Sequence, residues 1–202
     1  MDIKKIKGVT LDETYAKLGV TNQHISYWRN YPASTLVKCR IKHNTIYRAK
    51  KLFGLTDIEA ENLANKAGLS LCCFDENNVA PSINSAFAKH FTTLLSCCPM
   101  KVYELCGAAQ ISDRMFRYIR QGTHLRKGTV LALLISMDQD LHNIQTALKK
   151  AGYVLTHSLP EDLVVLWLLE NKLLSGTAHN RIILLNETLD YLGLPLLTGK
   201  SS

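Results

Sequence analysis

Apolar residues recur along most of the chain at spacings of three and four, which places them on one face of a helix. Ile83, Phe87 and Phe91 follow this spacing, and the apolar residues of segments 160–171 and 181–192 are dense enough to predict two further helices. No alternation of apolar and polar residues persists long enough to predict a strand. The pattern therefore predicts an all-α protein.

The chain also carries an internal repeat. Residues 20–30 align with residues 111–121 at an offset of 91, and residues 45–71 align with residues 129–155 at an offset of 84. The matches are mainly apolar positions, together with an Ala-Gly pair in each copy. We therefore predict a duplication in which Gly68 ends a helix equivalent to the one that Gly152 ends, because glycine tolerates the left-handed backbone found there.

Each copy is predicted to begin with two short helices joined by a turn. The first helix covers residues 11–18 in one copy and residues 102–109 in the other, and Thr21 or Ser112 then caps the second helix. Two apolar residues three positions apart in each second helix are expected to face inward. They are Ile25 and Trp28 in the first copy, and Phe116 and Ile119 in the second.

This layout resembles the lambda-repressor-like (Cro/XRE-type) helix-turn-helix family over roughly residues 8–71 and 85–155. Gln110 stands where that family commonly has a glycine in the turn. The resemblance is carried by one set of apolar and turn positions in each copy. They are Leu18, Gly19, Val20, Ile25 and Trp28 in the first, and Leu105, Ala109, Ile111, Phe116 and Ile119 in the second.

The resemblance implies two tandem helix-turn-helix bundles, at residues 1–72 and 82–155, followed by a helical extension at residues 156–202. It also implies a sequence-specific regulator of transcription that binds duplex DNA, acts as a repressor, and serves a phage, a plasmid or another mobile element. The apolar helices of the extension suit either a shared core or a dimer surface, so a homodimer is an open alternative.

In this architecture the second helix of each pair enters the major groove. The outward stripe at positions i, i+3, i+4 and i+7 is therefore expected to read base edges, and neighbouring polar and basic residues to contact phosphates. The residues predicted to read bases are Asn22, Gln23, Ser26, Tyr27 and Asn30 in the first copy, and Arg114, Arg117, Tyr118 and Gln121 in the second. The residues predicted to contact phosphates are Thr21, Arg29, Lys38, Arg40 and Lys42, and Ser112, Arg120, Arg126 and Lys127.

The charge distribution follows the repeat. The net charge of +7 is concentrated in two blocks, +8 over residues 1–53 and +4 over residues 100–128, and each is followed by a block of negative net charge. A polyanionic ligand such as DNA calls for local positive potential of this kind. The alternative is a protein-interaction module, an antitoxin or anti-defence inhibitor, whose helix-turn-helix units no longer read DNA.

Other classes of function find little support in the sequence. The six cysteines include no Cys-x-x-Cys pair, so we expect reduced thiols and no metal site. The seven histidines have no partner at a spacing typical of metal ligands or of proton relays, and no phosphate-binding loop or nucleophile motif occurs. We therefore expect a cytoplasmic protein that is not an enzyme, with no cofactor, no small-molecule substrate and no membrane segment.

Overall fold

The computed structural model describes residues 42–71 and 85–198. Within these ranges the chain is helical, with one isolated β-bridge and no strand, which confirms the all-α prediction for the described part. None of the described helices is both long and apolar enough to cross a membrane. The helices are α1 (His43–Phe53), α2 (Asp57–Lys66), α3 (Ser85–Ser96), α4 (Val102–Ala108), α5 (Asp113–Arg120), α6 (Lys127–Ser136), α7 (Leu141–Lys150), α8 (Pro160–Glu170) and α9 (Ala178–Tyr191).

The helix boundaries repeat at the offset of 84. Helices α1 and α6 begin 84 residues apart, and α2 and α7 share this offset at both ends. Gly68 and Gly152 each lie two residues beyond α2 or α7 with positive φ angles of 71° and 84°, which confirms their predicted positions. Residues 20–30, which form the first half of the repeat at an offset of 91, lie outside the described residues.

Equivalent residues of the two copies meet in the isolated bridge. Leu69 pairs with Tyr153 in antiparallel orientation. The amide of Ser70 donates to the carbonyl of Gly152 at 3.0 Å, and the amide of Val154 donates to the carbonyl of Gly68 at 3.2 Å. Leu69 thus pairs with its own counterpart 84 positions away, so the two copies are related locally by a pseudo-two-fold arrangement.

One large core holds the rest of the described chain together. Helix α6 is buried on all sides and packs against α4, α7 and α9, while α3 packs against α5 and α7. Val165 of α8, together with Ile182 and Leu185 of α9, belongs to the same buried cluster as these helices. Residues 156–198 therefore share the core of the second copy, and the boundary placed at residue 155 does not separate two cores. A smaller cluster around Ile46 joins α1 to α2.

A buried ion pair lies beside the bridge. The ammonium of Lys127 is 2.5 Å from a carboxylate oxygen of Asp162, and the side chains are only 8% and 3% exposed. The same oxygen accepts from the amide of Thr156 at 3.0 Å. Burial raises the pKa of Asp162, and the Lys127 charge opposes that shift. Because Lys127 begins α6 and Asp162 belongs to α8, the pair ties the C-terminal extension to the second copy.

Gly68 packs directly on this ion pair, which leads to a first prediction. An added Cβ would lie 2.8 Å from the Lys127 ammonium and 2.7 Å from Leu159, whereas a Cβ at Gly54 would meet nothing within 4 Å. Both glycines have positive φ. Gly54→Ala is therefore expected to cost about 1–2 kcal/mol through backbone strain alone. Gly68→Ala should cost a further amount of about 1–3 kcal/mol, because Asp162 prevents Lys127 from moving aside.

Urea unfolding of the two variants measures this difference directly. Equal losses of unfolding free energy would show that the Gly68 contact is not tight.

His43 generates a second prediction, since it joins α1 to the second copy. Its Nε2 lies 2.8 Å from the carbonyl oxygen of Gly152. Nε2 donates to this oxygen in the neutral tautomer that carries its proton on Nε2. Burial lowers the pKa of His43 below 6.5, although hydrogen bonds to Gly152 and Ser70 oppose the shift. The folded state therefore favours neutral His43, and its stabilising contribution is present above pH 6.5 and lost as the pH falls through the lowered pKa.

Unfolding free energies at pH values between 5 and 7.5 test this dependence. The loss of stability on acidification should be smaller in His43→Gln than in the wild type, and unchanged in His142→Gln, which replaces an exposed histidine of α7. The assignment to His43 is wrong if the His43→Gln variant keeps the full wild-type pH dependence.

Candidate nucleic-acid interface

Helices α4 and α5 are joined by four residues, at the turn that the sequence predicts. Gln110 adopts the left-handed conformation with φ of 55°, so it occupies the turn with the backbone that glycine favours. Ser112 then caps α5, its hydroxyl accepting from the amide of Met115 at 3.2 Å. Both the turn and the cap were predicted from the sequence, and both are confirmed.

Two buried side chains orient α5 on the core. Phe116 and Ile119 are almost fully buried, as predicted. Phe116 makes an edge contact with Phe91 of α3, with ring centroids 6.0 Å apart, and Phe91 stacks in turn on Phe87. Because these contacts fix the rotation of α5 about its axis, they determine which of its polar side chains face solvent.

The predicted base-reading stripe of the second copy lies on the opposite side of α5. Arg114, Arg117 and Gln121 are exposed, and Tyr118 is half-buried between them and the core. The spacing of three, four and seven positions keeps the four side chains on one helix face. This surface offers guanidinium donors, a phenol and an amide to whatever binds it.

Arg114 is held in place by its neighbour. Its Nε donates to the Tyr118 hydroxyl at 2.9 Å, and its guanidinium carbon lies 5.5 Å from the centroid of the Tyr118 ring. The Tyr118 ring also contacts His124, at a centroid distance of 5.0 Å. The arrangement orients Arg114 before any ligand arrives and leaves its two terminal nitrogens available to donate.

The predicted phosphate contacts that the structure describes are either exposed or buried. Arg120, Arg126 and Lys42 are exposed, and Ser112 is exposed at the start of α5. Lys127 requires a correction, because it is buried and paired with Asp162 and so cannot reach a phosphate on the surface. The other predicted contacts lie outside the described residues. They are Thr21, Asn22, Gln23, Ser26, Tyr27, Arg29, Asn30, Lys38 and Arg40.

Acidic groups near α5 are few and largely engaged. Glu104 accepts from the amide of Lys101 at 2.9 Å and thereby caps α4. Asp113 is exposed in the first turn of α5, where the positive end of the helix favours a carboxylate.

Burial raises the pKa of Cys106 to about 11, and a hydrogen bond with Asp113 adds to the shift. Cys106 is therefore a protonated, unreactive thiol at neutral pH.

Asn186 supports the turn in a way that the sequence did not predict. Its amide nitrogen lies 3.3 Å from the side-chain oxygen of Gln110 and 3.3 Å from the carbonyl of Thr198, while its oxygen accepts from the amide of Leu197 at 3.0 Å. A buried asparagine of α9 thus links the turn before α5 to the C-terminal segment. An asparagine within the apolar pattern of residues 181–192 was the only available signal.

Comparison of the chain with protein-family models, with curated proteins and with solved structures finds no match.

Proposed function

We propose that this protein binds duplex DNA through α5 and regulates transcription as a repressor. The observation that carries the proposal is the exposed stripe of Arg114, Arg117 and Gln121 on a helix whose opposite face is fixed in the core. An arginine can donate two parallel hydrogen bonds to a guanine edge, and glutamine can pair in the same bidentate way with adenine. The resemblance described above favours the same function and adds an association with mobile elements.

The surrounding charge supports binding to a polyanion. Arg120 is exposed on α5, Arg126 is exposed at the start of α6, and Lys101 is exposed at the start of α4. These cations would contact phosphates and set the register of α5 on the duplex, whereas the stripe would supply sequence preference. A helix N-terminus capped by Ser112 is a further place where a phosphate is favourable.

A second candidate function is the inhibition of a protein partner. It is favoured by the apolar surface of the C-terminal extension, where Trp167 is 56% exposed and Tyr191 is 90% exposed. Large exposed aromatic residues are common at protein interfaces. The two functions differ in their dependence on salt, because only binding to DNA releases a large number of counterions.

Binding to a labelled random duplex, followed by fluorescence anisotropy over a range of salt concentrations, tests the proposal. We expect dissociation constants below micromolar at low salt and a steep linear fall of the logarithm of affinity with the logarithm of salt concentration. Arg126→Ala should weaken binding to every sequence and flatten that slope by about one. On a site selected from random duplexes, Arg117→Ala should cost about 1–3 kcal/mol of binding free energy. It should also relax the base preference at one position of that site.

Lys172→Ala provides the matched control, because it removes an exposed cation at the end of α8 without touching α5. Its affinity and salt slope should equal those of the wild type. The absence of binding at low salt would reject the DNA-binding function and leave the protein-inhibitor candidate. Unchanged affinity and preference in Arg117→Ala would instead restrict the second copy to a scaffold or a dimer module.

A further inference from the structure

A cleft of about 970 Å³ opens where the two copies, α8 and the C-terminal segment come together. It is lined by pairs of residues that are equivalent at the offset of 84, so its two sides derive from the two copies of the repeat. These pairs are Lys42 with Arg126, His43 with Lys127, and Leu69 with Tyr153. The cleft therefore lies beside the bridge between Leu69 and Tyr153, where the two copies are related by a local pseudo-two-fold rotation.

The charges at the cleft leave a positive excess. Lys127 is neutralised by Asp162, and Glu161 is the other acidic residue of the lining. Lys42 and Arg126 are both exposed, and neither forms an ion pair within the described residues. They precede α1 and α6, whose first turns contain no acidic residue and whose N-caps make no side-chain hydrogen bond, so the helix dipoles add to the positive potential.

The rest of the lining is mixed. Ile111, Met115 and Leu196 contribute half-buried apolar side chains, and Asn44, Gln110 and Thr129 contribute polar ones. Apolar surface combined with a few converging polar groups is typical of a small-molecule site. A DNA backbone would bring phosphates to the cations but no apolar group to the walls, so a small ligand fits the lining better than a duplex does.

We propose that this cleft binds a small organic anion, with a carboxylate or phosphate held between Lys42 and Arg126 and an apolar body against Met115 and Leu196. Such a ligand would contact both copies of the repeat at once. The cleft reaches the start of α5, where Ser112 and Met115 belong to its lining, and it shares Arg126 with the proposed DNA-binding surface. Its existence does not depend on DNA binding.

Two fluorescent probes that share an apolar body test the proposal. Anilinonaphthalene sulfonate carries an anionic group, and phenylnaphthylamine is its neutral counterpart. We expect one sulfonate probe to bind per chain. The double variant Lys42→Gln/Arg126→Gln should bind it at least about tenfold more weakly while keeping its affinity for the neutral probe. In the wild type, added salt should weaken only the binding of the sulfonate probe.

Two control variants distinguish binding in the cleft from binding elsewhere on the surface. Lys172→Gln removes an exposed cation at the end of α8, and Trp167→Ala removes a largely exposed aromatic side chain of the same helix. Neither should change the affinity for either probe, and circular dichroism should show the same helix content in every variant. The proposal is overturned if the double variant binds the sulfonate probe as the wild type does, if it loses both probes equally, or if Trp167→Ala abolishes binding.

Discussion

The antiparallel pairing of residues 68–70 with residues 152–154 is the contact on which the arrangement of the described chain depends. It is short, with two backbone hydrogen bonds, yet Leu69 meets its own counterpart in the repeat. Tyr153 packs against both the small cluster of α1 and α2 and the large core of the second copy. Its hydroxyl also donates to the carbonyl of Leu125 at 2.9 Å, which fixes the segment before α6.

The ion pair of Lys127 and Asp162 reinforces this contact, although both charged groups lose their contact with water. Removing two charges from water is expensive, and their attraction compensates only when geometry and additional hydrogen bonds are good. Here the Asp162 carboxylate has the ammonium and the Thr156 amide as partners. The backbone of Gly68 lies so close to the pair that a larger residue would not fit, so the pair contacts the first copy as well as joining α6 to α8.

The sequence was sufficient for features that depend on local spacing. Ser112 as a cap, and Phe116 and Ile119 as the buried face of α5, follow from residues within a few positions of each other. The outward stripe on α5 follows from the same periodicity. In each case the physical cause lies within one or two helical turns, where sequence patterns are informative.

The features that the sequence did not predict involve partners far apart in the chain. Lys127 looked like a surface cation within a basic block, and only Asp162, 35 residues later, explains its burial. Asn186 contacts Gln110 across 76 residues, and Leu69 pairs with a residue in the other copy of the repeat. The sequence also left open whether α8 and α9 join the core or form a dimer surface, and the burial of Val165, Ile182 and Leu185 shows that they join the core.

The face-to-face pairing of the two copies is the central claim, and a disulfide tests it most directly. Residues opposite each other in a non-hydrogen-bonded antiparallel pair have Cα atoms about 4.5 Å apart, within the range for a disulfide. Cysteines at Leu69→Cys and Tyr153→Cys should therefore cross-link under mild oxidation, as peptide mapping by mass spectrometry would show. Leu69→Cys with His142→Cys, at the far end of α7, should not. Cross-linking of the two pairs to the same extent, or of neither, would contradict the pairing.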